Sequence, residues 1–364
     1  MICSAAIAVL ALSLSVGPEV PGQPTTLTSG NYLQELSPGL NLGNTLEAIP
    51  TETSWGNPKT SKSWFQAVKS AGFKSVRIPV AWSQYSDSLH RVAPDWMDNV
   101  TDVVRKTTDA GLYAVVNIHW DGGWMQPTYA RREAVNEKFA KLWAQIATNF
   151  RDFDDRLLFA GTNEIHVEGN YESPTPENAE VQNGFNQVFV DVVRSTGGRN
   201  KDRWLVVQGY NTNIDDSVKF NSKLPDDSAK GRLMMEVHYY SPYNFTLNEK
   251  SDVWQWGAGA KDPKASEDWA NEAYVDAQFQ SMKKAFVDRG VPVLLGEYAV
   301  GLKPKYPGMK RYQRDWVSYV TRSAHRHGLV PMYWDIGLPS GLFNRSTGAQ
   351  QDQELIRTIV ESAK

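Results

Sequence analysis

Cysteine is nearly absent, since Cys3 is the only one among 364 residues. It lies too early to follow a lipobox, so a processed chain would carry no thiol, which excludes disulfides and Cys-ligated metals. Basic residues are missing from the N-terminal stretch, where no Lys or Arg precedes Lys59. No block of like charges occurs, the net charge is -3 and the pI is about 6.1. Neither nucleic acid nor an anionic membrane surface is indicated as a partner. Long apolar runs are missing too. The run Ala5–Val16 has the length of a signal-peptide core and is too short for a stable membrane anchor. Without a basic flank it reads as an atypical export signal or an N-terminal tail over residues 1–22. The expected location is secreted, periplasmic or at the cell surface, with no membrane contact beyond export.

Aromatic residues are abundant, with 13 Trp and 15 Tyr. The remaining composition, 41% hydrophobic and 22% charged with a mean hydropathy of -0.46, is that of a soluble globular chain. Beyond residue 38 two textures alternate. Short apolar runs recur at Gly39–Thr45, Ser75–Val80, Ala114–Trp120, Leu157–Glu164, Trp204–Tyr210, Leu233–Tyr240, Pro292–Ala299 and Leu329–Ile336. Between them lie helical periods such as "SKSWFQAVKSAG" and "EKFAKLWAQIATNF". Nearly continuous apolar runs indicate parallel strands covered on both faces. Gly72, Gly111, Gly290 and Gly328 stand where helices should end before the next strand. About eight such units fit an α/β fold, a single (β/α)8 TIM barrel over residues 23–364. A doubly wound sheet is the alternative, but no Gly-rich phosphate loop follows any run.

The ends of these runs are polar. They carry Asn41, Arg77, His119, Asn163 with Glu164, Gln208, His238 with Tyr240, Glu297, and Trp334 with Asp335. In a barrel of this kind function sits at the C-terminal ends of the strands. Glu164 and Glu297 close the fourth and seventh runs, which face one another across an eight-stranded barrel. Two carboxyls about 5 to 5.5 Å apart suit retaining glycoside hydrolysis, one as nucleophile and one as acid and then base. The alternative is a pair of buried salt bridges with Arg77.

These motifs carry a family resemblance. "GLNLGNTLEA", "WGNP", "AGFKSVRIPVAW", "NIHWDGG", "TNE", "VHYYSP", "LLGEYA" and "YWD" occur in the order seen in glycoside hydrolase family 5. The chain resembles that family over residues 36 to 360, and most closely its subfamily four of endoglucanases, mixed-linkage glucanases and xyloglucanases. The resemblance implies Glu164 as acid/base and Glu297 as nucleophile, with no cofactor. It also implies that Arg77, His119, Asn163, His238, Tyr240 and Trp334 surround the reacting sugar. Those roles make physical sense: Arg77 pairs with Glu297, Tyr240 donates to it, and Trp334 offers an apolar floor for a pyranose ring. Four positions depart from the family pattern, with Ile165 and His166 after the acid, Ala160 in the fourth run and Trp120 after His119.

The polymer must be read from the loops. Trp55, Trp120, Trp124, Trp254, Trp256 and Asn344 lie on loops after the first, third, sixth and eighth runs. Exposed aromatics there suit an open groove holding a polysaccharide mid-chain, with Asn41 beside it and xyloglucan the leading polymer. Trp254 and Trp256 equally suit anchors of the long loop Ser241–Glu267. A monomer acting on a β-linked polysaccharide is expected. Cellulase, mixed-linkage glucanase, mannanase and xylanase activities share the fold and the acids. A metal-dependent barrel hydrolase built on His119, His238 and a carboxylate, and a non-catalytic sugar-binding barrel, are the rivals from other classes. The first lacks a His-x-His pair, and the second would lose one of the acids.

Overall fold

The computed structural model describes residues 26–364, so Cys3 and the Ala5–Val16 run lie outside the described residues. Eight strands form a closed parallel barrel in sequence order. They are β1 (Gly39–Leu42), β2 (Ser75–Ile78), β3 (Tyr113–Asn117), β4 (Leu157–Ala160), β5 (Leu205–Gln208), β6 (Leu233–His238), β7 (Val293–Tyr298) and β8 (Leu329–Asp335). Each falls inside one of the apolar runs except β3, which starts one residue before its run, and β1 closes the ring on β8 through the pairs Gly39–Met332 and Asn41–Trp334. An (β/α)8 barrel is therefore the architecture, and the doubly wound alternative is excluded.

Helices follow the strands because their apolar faces recur at helical spacing. The short α1 (Tyr32–Leu36) precedes β1, and α2 (Lys62–Ser70), α3 (Pro94–Asp109), α4 (Tyr129–Phe150), α5 (Pro176–Ser195) and α6 (Ile214–Phe220) separate the next strands. A single turn, α7 (Tyr243–Thr246), lies in the loop after β6, before α8 (Glu272–Ala285), α9 (Met309–Arg326) and the terminal α10 (Gln353–Ser362). Ser61 accepts from Trp64 N to start α2, and Thr175 with Asn178 forms a capping box on α5. Gly72, Gly111, Gly290 and Gly328 all take positive φ, the conformation that lets a helix end turn into a strand.

The core has two layers. One lies between strands and helices and includes the fully buried Trp64, Phe139, Trp143, Phe159 and Trp316. The other fills the barrel interior with Val115, Leu158, Ala160, Val206, Met234, Leu294 and Val330. It is closed at the bottom by Leu27, Tyr32 and Leu36. The floor is tied down, as Trp204 Nε1 donates to Leu27 O at 3.0 Å and the Tyr32 hydroxyl donates to Gly328 O. An apolar bottom leaves the polar strand ends to line the opposite mouth. No helix among the described residues is long and apolar enough to cross a membrane.

Candidate active site

Arg77 is the centre of the barrel mouth. It is fully buried, and a buried guanidinium must spend its donors on acceptors. Its Nε lies 2.7 Å from Glu236 and its Nη1 2.9 Å from Glu297 Oε1. Nη1 also donates to Asn41 Oδ1 at 3.0 Å, and Nη2 to Asn163 Oδ1 at 2.7 Å. Asn41 is fixed in turn by donating to Gly296 O at 2.8 Å. Sequence reasoning placed Asn41 and Arg77 on the sugar. The structure corrects this, because both are sealed beneath the acids and act through Glu297 and Asn163.

Glu236 was missed. It is fully buried in β6, accepts from Gln208 Nε2 at 2.6 Å, and lies 3.2 Å from His238 Nε2. A signal existed: at strand period Glu236, His238 and Tyr240 share one face. Burial pushes its carboxyl up, but Arg77 and His238 outweigh that and hold it down to about 2. Gly296 makes the room, since a Cβ there would fall within 2.0 Å of Glu236 Oε1.

The two predicted acids meet above this base. A register shift between Val237 and His238 sets His238 opposite Glu297, a local re-aiming of the kind bulges provide. His238 Nδ1 is 2.6 Å from Glu164 Oε1 and 3.7 Å from Glu297 Oε2. One oxygen of Glu164, one of Glu297 and a His238 nitrogen all lie within 4.8 Å of one another. The Tyr240 hydroxyl donates to Glu297 Oε2 at 3.0 Å. Glu164 does not lie on a strand, because β4 stops at Ala160. Gln208 Oε1 holds the following segment by accepting from Thr162 N and Oγ1, each at 3.0 Å. The acid therefore stands on a braced loop.

Exposure separates the carboxyls. The Glu164 side chain is 37% exposed and that of Glu297 only 7%. Burial pushes Glu297 up against the pull of His238 and Arg77, and the Glu164 charge adds to the rise. Burial also acts on Glu164, but the hydrogen bond and charge of His238, with Arg77, bring it below the usual range. Burial would lower His238, yet Glu297, Glu164 and Glu236 outweigh it and push it up to about 9. His119, desolvated and facing Arg77 and His238, stays far below its ordinary value and is neutral.

The cleft walls are built from the loops. His119, Trp120, Asn163, Glu164 and His166 line a hollow of about 200 Å³ on one side of the acid. Glu164, Tyr171, Asn211, His238, Tyr240 and Tyr243 line another of about 330 Å³ on the other. The Asn163 amide oxygen is taken by Arg77, which leaves its NH2 for a sugar hydroxyl. Trp334 lies parallel to His119, with ring centroids 5.6 Å apart and planes 8° off. Gly43 leaves room for that indole, as a Cβ there would stand 3.0 Å from it. Trp55 and Trp120 are 43% and 53% exposed, a condition for platforms.

Other loop residues are structural. Trp256 is 3% exposed and donates to Ala270 O at 2.7 Å. Trp254 stacks on Tyr306 at 5.3 Å. Neither lines the cleft, so these two anchor the long loop after β6, and the platform expectation is corrected. Trp124 is pinned as well, donating to Asp121 Oδ2 at 3.0 Å beneath Lys138. Asn344 is not at the groove either, because its Oδ1 accepts from Ser346 N and Thr347 N at 3.0 Å to form a turn. The metal set His119, His238 and a carboxylate is not assembled among the described residues. Glu164, His238 and Glu297 do come together, with His238 Nδ1 spent on Glu164.

The family model described as Cellulase (glycosyl hydrolase family 5) matches residues 41–339. The chain belongs to glycoside hydrolase family 5. Among curated family 5 relatives, a xyloglucan-specific endo-β-1,4-glucanase of Bacteroides ovatus is 41% identical over 92% of this chain and 70% of its own length. The solved structure of a Bacteroides ovatus GH5 xyloglucanase in complex with a XXXG heptasaccharide matches with a TM-score of 0.89 at 40% identity, covering 93% of this chain and 77% of that one. A GH5-4 broad specificity endoglucanase from Bacteroides salanitronis matches with a TM-score of 0.86 at 36% identity, over 92% and 95% of the two chains. This family 5 chain is thus a glycoside hydrolase, and an endo-β-glucanase by its relatives.

Proposed function

We propose that the protein is a secreted, retaining endo-β-1,4-glucanase of plant cell-wall β-glucan with xyloglucan as its main polymer. The observation that carries the mechanism is the approach of Glu164 and Glu297 to within 4.8 Å. Inverting enzymes need a gap of about 6.5 to 9.5 Å to admit water between the carboxyls. The shorter gap here favours the retaining route, in which Glu297 itself attacks. Arg77 and Tyr240 both donate to Glu297, which keeps a lone pair aimed at the anomeric carbon and the carboxylate ionised. Attack forms a glycosyl ester as the bond to the leaving oxygen breaks.

Glu164 supplies the proton that the leaving oxygen needs. In the open cleft the proton of the Glu164–His238 pair rests on His238. A bound glycan removes water from the exposed Glu164 carboxyl, which raises its affinity for a proton and turns it into the acid. After the aglycone leaves, Glu164 takes a proton from water, the hydroxide oxygen attacks the anomeric carbon, and Glu297 departs. The Asn163 NH2 meets the 2-OH of the sugar, a contact that strengthens in the transition state.

The polymer assignment is supported by the relative that is xyloglucan-specific and by the exposure of Trp55 and Trp120. Export rests on the Ala5–Val16 run, and action as a monomer on a long glucan is part of the same reading. NMR of the first-formed product tests the mechanism: the β-anomer is expected, and an α-anomer overturns it. Reducing-end assays over xyloglucan, mixed-linkage glucan, cellulose, mannan and xylan test the polymer.

A further inference from the structure

Arg345 is fully buried beside the barrel mouth, and the chemistry described above does not use it. Its Nη1 lies 2.8 Å from Asp335 Oδ2. Its Nη2 donates to Asp335 O at 2.7 Å and to Gly43 O at 3.2 Å. Gly43 N donates in turn to Asp335 O at 3.1 Å. The guanidinium lies over Trp64, 4.9 Å from the ring centroid, an apolar seat that suits a delocalised cation. One side chain thus joins the last residue of β8 to the residue after β1. Asp335 spends its other oxygen on Leu342 N at 2.8 Å, which folds the following loop over the pair. Asn57 ties the same seam further out, donating through Nδ2 to Asn44 O at 2.9 Å and to Ile336 O at 2.8 Å.

Trp334 stands between the parts so joined. It pairs with Asn41 across the seam and directly precedes Asp335. Its indole packs against Gly43, where a Cβ would stand 3.0 Å away, and lies parallel to His119. No hydrogen bond to the described residues holds the indole nitrogen, so the tilt of the ring is set by the backbone on either side. A buried ion pair adds little net stability, and its best use is to fix one arrangement.

We infer that Arg345 is a positioning residue for glycoside cleavage. Its clasp on Asp335 and Gly43 holds the Trp334 indole in the plane that meets the reacting sugar, so the floor is in place before the sugar binds. Arg345 touches no sugar itself and acts through Trp334. This role rests on the β-glucanase reading above and on Trp334 as the floor under that sugar.

The test uses Arg345→Met, which removes the clasp, and Arg345→Lys, which keeps the charge but not the planar fork. Each is made alone and combined with Trp334→Ala. The kcat and KM are measured on polymer and on a short aryl oligosaccharide, below every melting transition. Arg345→Met should lower kcat about tenfold on both substrates, Arg345→Lys about threefold, each with KM for polymer within about twofold. In the Trp334→Ala background neither should lower kcat by more than about twofold further, since the residue it acts through is gone. Where Arg345→Met does not fold, Arg345→Lys decides alone. Unchanged kcat in a folded Arg345→Lys, or losses that multiply with that of Trp334→Ala, would overturn the positioning role and leave the floor and the glucanase reading intact. Full kcat in Trp334→Ala alone would remove the floor itself, and the role of Arg345 with it.

Discussion

His238 Nδ1 stands 2.6 Å from Glu164 Oε1, a separation at which one proton serves both groups. The imidazole is held between three carboxyls and is pushed up to about 9. Its folded value lies above its unfolded one, so the stability it contributes is complete below about 6.5 and is lost as pH rises through about 9. Urea denaturation of the wild type between pH 6.5 and 9.5 should show this loss, of no more than about 3 kcal/mol. His238→Gln should flatten that slope. Activity should fall over the same window, because deprotonation removes both the proton shared with Glu164 and the cation beside Glu297.

The two acids should fail differently. Glu297→Ala should abolish turnover on every substrate, since no glycosyl ester can form. Glu164→Ala should retain a burst with activated aryl glycosides, whose leaving groups need little protonation. Stopped-flow release of the aryl group distinguishes them, and identical substrate profiles would reverse the assignment.

Arg77 should matter to folding as much as to chemistry. Arg77→Met leaves Glu236 and Glu297 without their shared cation, a loss of about 3 to 5 kcal/mol. Glu236→Gln in that background should recover part of it, as the buried charge is removed with the partner. Chemical denaturation of the two single variants and the double variant gives the coupling.

The tryptophans should separate into three behaviours. Trp334→Ala should cost kcat on long and short substrates alike, as expected of a floor under the reacting sugar. Trp120→Ala and Trp55→Ala should raise KM for polymer by the equivalent of about 1 to 3 kcal/mol, with little effect on a short aryl oligosaccharide. Trp256→Ala should lower stability by about 3 to 5 kcal/mol through the cavity it leaves, with no preference for chain length. Melting curves beside the kinetics sort the classes.

A chelator should leave turnover unchanged. Glu164, His238 and Glu297 lie close enough to hold a cation, but His238 Nδ1 is already bonded to Glu164 and the site has its own cation in Arg77. Dialysis against EDTA with activity restored only by added divalent metal would overturn the two-carboxylate mechanism.

The strands were legible because parallel strands covered on both faces need continuous apolar runs, and Gly ends the helices that join them. Glu297 was legible for the same reason, as a charge at the end of such a run has few explanations. Glu236 was not, because an acid in the middle of "LMMEVH" reads as an interruption until Arg77 is seen to lie against it. The loop aromatics were ambiguous in principle. Trp120 and Trp256 both stand in polar surroundings in the sequence, yet one is 53% exposed and the other 3%. Only long-range packing, here on Ala270 and Tyr319, decides which face of an indole is left for a ligand. Arg77 and Asn41 showed the same limit, since a strand end gives the position of a residue but not its depth.

The plug of Leu27, Tyr32 and Leu36 beneath the barrel sets a boundary on how far this chain can be cut back. A fragment starting at Gly39 would hold every strand and both acids, and would still be an uncorked vessel. Water would reach the lower layer of Met234, Leu294 and Val330, and the hydrogen bond from Trp204 to Leu27 would be gone. The unit that folds is therefore longer than the unit that carries the motifs, and any processing that leaves the enzyme sound must cut before Leu27.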